Sequence, residues 1–292
     1  SAEVIRVAYS HGGRFLASSG WDNRTLLWEA GTGDFLTEAA GNLTAFSRDD
    51  RLLGLDQGTR YANVWRLNGG ECYRTLDVPM VGKVPGDMDI SSDGRWLAAT
   101  CNEGGIRLWS LDAPDEAHEL KCGFVNATCF EHCGEALWAA ADDGLYRWPV
   151  SRNGSAKEWS IGPPERIASQ PAAYVSLSRD AHRVATVTAV LDVRHILVQD
   201  LDERGAVEVR GLWGHPGAES CELNPSGRWV VSTTFQGEAV RVWDVSTASL
   251  ACSFDVGSAK ACFSPDDRWL ALSWDSWVGL YETGSWKERF KV

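Results

Sequence analysis

A chain of 292 residues with 44% hydrophobic and 23% charged residues has the composition of a packed globular protein, which excludes wholesale disorder, collagen and coiled coil. Its 40 acidic against 28 basic residues leave a net charge of −12, so a phosphate backbone would be repelled and nucleic acid is not an expected partner. No run of 18 apolar residues occurs and the start, SAEVIRVAYS, has neither the basic flank nor the apolar stretch of a signal peptide. A cytoplasmic protein with no membrane contact is expected, and its eight cysteines, which form no CxxC pair, are expected to be reduced.

In chain order, one pattern recurs. YSHGGRFLA at 9–17 is followed by FSRDDRLLG at 46–54, ISSDGRWLA at 90–98 and FEHCGEALW at 130–138, then LSRDAHRVA at 177–185, LNPSGRWVV at 223–231 and FSPDDRWLA at 263–271. The first residues, Tyr9, Phe46, Ile90, Phe130, Leu177, Leu223 and Phe263, lie 37 to 47 residues apart. A second mark follows each of them by 18 to 22 residues: Trp28, Trp65, Trp109, Trp148, Gln199, Trp243 and Tyr281. Around these marks aliphatic or aromatic residues alternate with polar ones, as in GIRLW at 105–109, which is the period of a strand. Turn residues such as Asp93-Gly94 and Ser226-Gly227 separate the first two strands. Each unit therefore reads as four antiparallel strands, and seven units consume residues 1–292.

Such units bury their faces only against copies of themselves, so the expected fold is all-β, a single seven-bladed β-propeller of four-stranded antiparallel blades. The chain resembles the WD40 family. Val242-Trp243-Asp244 is the best copy of the family dipeptide and Gly214-His215 the copy of its Gly-His element. The family's turn Asp, six residues before the Trp mark, matches Asp22, Asp142 and Asp275, whereas Glu103, Thr59, Val193 and Gly237 replace it elsewhere. No unit carries the complete set of His, Ser/Thr, Asp and Trp.

Catalytic and metal readings find little support. Cys129, His132 and Cys133 form a compact cluster of soft ligands, but the repeat assigns Cys129 and His132 to ordinary strand and turn slots, and no fourth ligand is near. Of the residues in the innermost strands, Asp89 and Glu222 are the only obvious acids, too few for a channel metal cage. No enzyme activity, metal or cofactor is expected. The arginines five residues after the marks, Arg14, Arg51, Arg95, Arg228 and Arg268, read as solvated or locally paired turn exits, and Trp96, Trp229 and Trp269 beside them as packing between blades.

Aromatics that the repeat does not demand are a different matter. Trp21 and Trp274 directly precede the turn acids Asp22 and Asp275, and Phe235 with Glu238 lies close to the same slot in unit six. In the WD40 family this loop opens on the usual binding face, and units one, six and seven adjoin once the ring closes. The resulting expectation is a monomeric, non-catalytic scaffold binding a protein or peptide there through Trp21, Asp22, Phe235, Trp274 and Asp275, with a basic segment on the partner. Two other readings stand beside it: a regulatory or sensor propeller of a larger multidomain protein such as a kinase, and a channel-sited enzyme or small-ligand binder. The chain is further expected to close without strand exchange, SWKERFKV at 285–292 completing unit seven, and TVTAVLDVRHILV at 186–198 is expected to extend a hairpin.

Overall fold

The structure, a computed structural model, describes residues 3–56, 61–67, 71–77, 87–101, 104–112, 117–153, 158–190, 193–202, 205–234 and 239–291. Seven antiparallel sheets form a ring with no helix among the described residues. Each sheet begins with an innermost strand whose last residue is the first repeat mark: Val4–Tyr9, Asn42–Phe46, Met88–Ile90, Val125–Phe130, Ala172–Leu177, Ser220–Leu223 and Lys260–Phe263. Three more strands follow outward in chain order in six blades. In the fourth, the long third strand Gly144–Asn153 pairs with Glu165–Ala168 near its start and with Glu158–Ile161 near its end, so two short strands share the outer position.

In six blades the first hairpin is fixed by the residue that directly follows the strand's end. Ser10, Ser47, Ser91, Ser178, Asn224 and Ser264 come directly after the mark, and each side-chain oxygen accepts the backbone N–H five residues on, at 2.7–3.1 Å. These oxygens are buried, so each bond removes an otherwise unsatisfied donor. Four residues after every mark the backbone turns left-handed, at Gly13, Asp50, Gly94, Gly134, Ala181, Gly227 and Asp267, with φ between 55° and 75°. Glycine and Asp tolerate that region; Ala181 occupies it at the cost of a Cβ contact.

Blade faces pack against their neighbours through the Trp marks. Trp109 is buried among Val64 of blade two and Met88 and Leu97 of its own blade, Trp148 among residues of blades three and four, and Trp243 among residues of blades five and six. Trp28 and Trp65 are half-buried, each packed on a core cluster between blades. Trp229 and Trp286 meet edge to face at 5.2 Å across blades six and seven. The hairpin-exit arginines pair locally, Arg95 with Asp112 at 3.2 Å and Arg14 with Glu29 at 3.5 Å, and Arg228 covers the Trp229 ring.

The ring closes without strand exchange. Blade seven is Lys260–Phe263, Trp269–Trp274, Trp277–Glu282 and Glu288–Lys291, with Phe290 opposite Leu280 in its own outer strand. Blade one begins with Val4, whose backbone N–H donates to the Asp275 carbonyl, and the two blades join mainly through the Val7, Leu16, Cys262, Ala271 and Leu280 cluster. The run at 186–198 lies in the long hairpin of blade five, formed by Arg183–Val190 and Val193–Asp202. The seven cysteines with described side chains are free; Cys72 lies outside them. No helix of the described residues is long and apolar enough to cross a membrane.

Candidate functional site

Chain direction gives the ring two faces. Innermost strands begin at the entry face, which also carries the turns between second and third strands and the blade-to-blade connections. They end at the hairpin face, where first and second strands are joined.

On the entry face, Trp21 and Asp22 head the turn of blade one, and the indole is 62% exposed. Its backbone N–H donates to the Glu3 carbonyl at 3.1 Å, which holds the turn while leaving the ring in solvent. In the adjoining blade seven, Asp275 sits at φ 48° in a two-residue turn, and Trp274 pairs across it with Trp277. These two indoles have different surroundings. Trp274 is half-buried, lying on the blade where Gly279 has no side chain; a Cβ there would stand 2.9 Å from the ring. Lys291 from the outer strand places its Nζ 4.7 Å from the centre of Trp274 and 4.3 Å from that of Trp277. Trp277 is therefore the outward member, 46% exposed, and it is a residue that the sequence reading passed over. Phe235, with its neighbour Glu238, lies outside the described residues.

Asp22 and Asp275 are exposed, and among the described residues neither makes an ion pair. Trp213, which leads into blade six, is also exposed, its ring 4.4 Å from that of His195. Behind it, His215 is buried and receives or gives a bond to Ser232 Oγ through Nδ1 at 2.7 Å, while Trp243 Nε1 donates to the same oxygen at 2.9 Å. This is the His, Ser and Trp part of the blade network, with burial holding the His215 pKa down at about 4. Phe124, at the entry to blade four, is a further exposed aromatic of this face.

The channel is lined by the residues that precede the marks. Asp89 accepts the N–H of Phe130 in the next blade at 2.8 Å, Glu222 that of Phe263 at 2.8 Å, and Ser176 that of Leu223 at 3.0 Å. These acids thus join neighbouring innermost strands. Burial pushes both carboxyls up to about 7, although the bonds from Phe130 and Phe263 pull the other way. Arg6 of blade one reaches Asp87 of blade three at 3.4 Å, and Asp87 also accepts the Thr128 N–H at 3.2 Å. Cys129 is a wall residue of this channel, and burial raises its thiol pKa well above the ordinary range. His132 stands instead at the hairpin-face mouth. Cys133 lies with Glu131 and Glu135, and its Sγ bonds Glu131 Oε2 at 3.3 Å; the other Glu131 oxygen accepts Trp138 Nε1 and Arg147 Nε at 2.8 and 3.0 Å. That carboxylate is thus already held by the blade.

The WD40 family (WD domain, G-beta repeat) matches residues 1–29 and 70–110. Among curated proteins, Jouberin of Rattus norvegicus is 24% identical over 267 residues, and Jouberin of Mus musculus 25% identical over the same length. Each comparison covers 82% of this chain and 25% of the relative, so the chain spans about a quarter of the length of these proteins. Among solved structures, the Cps50 (Swd1) β-propeller domain of Myceliophteria thermophila superposes with a TM-score of 0.77, covering 97% of this chain and 98% of that one at 16% identity. That likeness is one of fold.

Proposed function

Given that the chain is a WD40-repeat β-propeller, a fold whose members are typically non-catalytic and bind proteins or peptides, we propose that it is an interaction scaffold whose docking surface is the entry face across blades six, seven and one. The observation that carries this reading is the pair of exposed indoles, Trp21 and Trp277, on adjoining blades beside the carboxylates of Asp22 and Asp275. A large rigid aromatic held in solvent by a fixed turn is the usual anchor of a protein interface, because it buries much area and loses little side-chain entropy. Trp274 belongs to the same surface, with Lys291 lying against both it and Trp277. Acids at the rim favour a partner segment with Lys or Arg beside an apolar residue; charge then speeds encounter and the indoles supply most of the affinity.

A second reading, a propeller working as one module of a longer protein, is supported by the relatives, in which the matched region is a quarter of the whole. The two readings are compatible. A peptide library passed over the immobilised protein tests the first. Selected sequences are expected to pair a basic with an aromatic or aliphatic residue, and Trp21→Ala or Trp277→Ala to weaken them by about 2 kcal/mol or more each, a typical hot-spot cost. Undiminished binding to a folded double variant would contradict the assignment.

A further inference from the structure

We propose that the hairpin-face mouth of the channel is a second binding site, for a small phosphate ester gripped between Arg48 and Arg179. The mouth encloses about 410 Å³, within the range of small-ligand sites. Its rim is drawn from one repeat position, two residues after each mark. Blades six and seven contribute Pro225 and Pro265 and blade three Ser92; the other four contribute His11, Arg48, His132 and Arg179. No carboxylate stands at this position in any blade, in a chain whose net charge is −12.

Both arginines lie across the opening. Arg48 of blade two passes blade three and donates to the His132 carbonyl of blade four. Arg179 of blade five passes blade six and donates to the Pro265 carbonyl of blade seven at 3.3 Å. Among the described residues neither makes an ion pair, so two guanidiniums with most of their donors unused approach the mouth from different blades. Nearby acids among the described residues make no ion pair with them and are engaged elsewhere, as is Glu131, which also lines the mouth and holds Trp138 and Arg147. Asp49, Asp93, Asp180 and Asp266, one residue further on, each accept a serine hydroxyl at 2.6–2.7 Å and a backbone N–H at 3.1–3.2 Å of the same hairpin. Asp50 accepts the N–H groups of His11 and Gly12, both at 2.8 Å.

His11 and His132 meet edge to face at 5.6 Å. Burial first, then His11, Arg179 and Arg48, hold His132 down at about 4, so at neutral pH that ring is uncharged and can donate one N–H; burial also lowers His11, whose ring bonds the Ser47 backbone. Below the rim, Ser176, Asp89 and Glu222 form a polar floor; with carboxyl pKa values near 7, the acids provide both donors and acceptors suited to hydroxyl groups. A phosphate monoester fits these elements better than a carboxylate does. Its three tetrahedral oxygens accept two guanidinium forks from separate directions, whereas a planar carboxylate is filled by one.

Titration calorimetry at pH 7 and constant ionic strength, with glucose 6-phosphate, inorganic phosphate, citrate and glucose as probes, tests the assignment. Glucose 6-phosphate is expected to bind, inorganic phosphate more weakly, and glucose not at all. Arg48→Gln and Arg179→Gln should each weaken glucose 6-phosphate at least tenfold, while Arg51→Gln, on the same face but outside the mouth, leaves it unchanged. Because the arginines also tie blades together, circular dichroism melting of the unliganded variants accompanies the titrations. No binding of either phosphate probe to the wild type, citrate binding as tightly as glucose 6-phosphate, or glucose 6-phosphate binding that survives in a folded double variant, would overturn the proposal.

Discussion

At the scale of single residues, the repeat shows where side chains bear cost as well as where they stabilise. Position four after each mark requires a left-handed backbone, and Ala181 is the one occupant of the seven with neither a glycine's freedom nor a local polar side chain. Ala181→Gly is therefore expected to raise stability by about 1 kcal/mol, the relief of the Cβ contact exceeding the added flexibility of the unfolded chain; a lowered urea midpoint would show that Ala181 is not strained. Glu222 offers a complementary case. Its folded pKa of about 7 lies above the ordinary carboxyl value, so the folded state holds a proton that the unfolded state releases. Its contribution is most favourable in acid and is lost as pH rises to 7. Glu222→Gln keeps an acceptor for the Phe263 N–H and should raise the melting midpoint at pH 8, with the gain shrinking toward pH 5. A gain independent of pH would contradict the burial of this carboxyl.

At the scale of elements, the sequence was most legible where a backbone rule repeats. Seven strand ends and the second marks could be aligned, and turn pairs such as Asp93-Gly94 and Ser226-Gly227 recognised in some units, because hairpin geometry and blade packing restrict the same slots in each unit. Two matters were not legible. The sequence reading singled out Trp274 and passed over Trp277, and only the pairing across Asp275 and Ser276, with the room above Gly279, separates the ring that lies down from the one that stands out. The rim of the hairpin face also escaped notice, since His11, Arg48, His132 and Arg179 are more than 35 residues apart in the chain and only ring closure brings them to one mouth. Blade seven is completed by Glu288–Lys291, which covers the edge of Trp277–Glu282. Removing residues 285–292 exposes that edge and takes Lys291 from between the two indoles. A lower unfolding midpoint and a tendency to associate through the bare strand are expected, measurable by calorimetry and light scattering; an unaltered, monodisperse protein would mean that the outer strand is dispensable.

For the whole molecule, a rigid ring leaves function to what its two faces display. The entry face presents aromatics beside acids, and the hairpin face a mouth with two arginines over a polar floor, so the two are suited to ligands of different chemistry. Fold alone names neither ligand. The reading of the entry face as the docking surface is tested most directly by hydrogen–deuterium exchange of the propeller with and without a peptide selected from the library. Slower exchange is predicted at residues 20–24 and 274–278, with the first hairpins at 10–14, 47–51 and 178–182 unaffected. Protection confined to those hairpins or to the outer strands would contradict it.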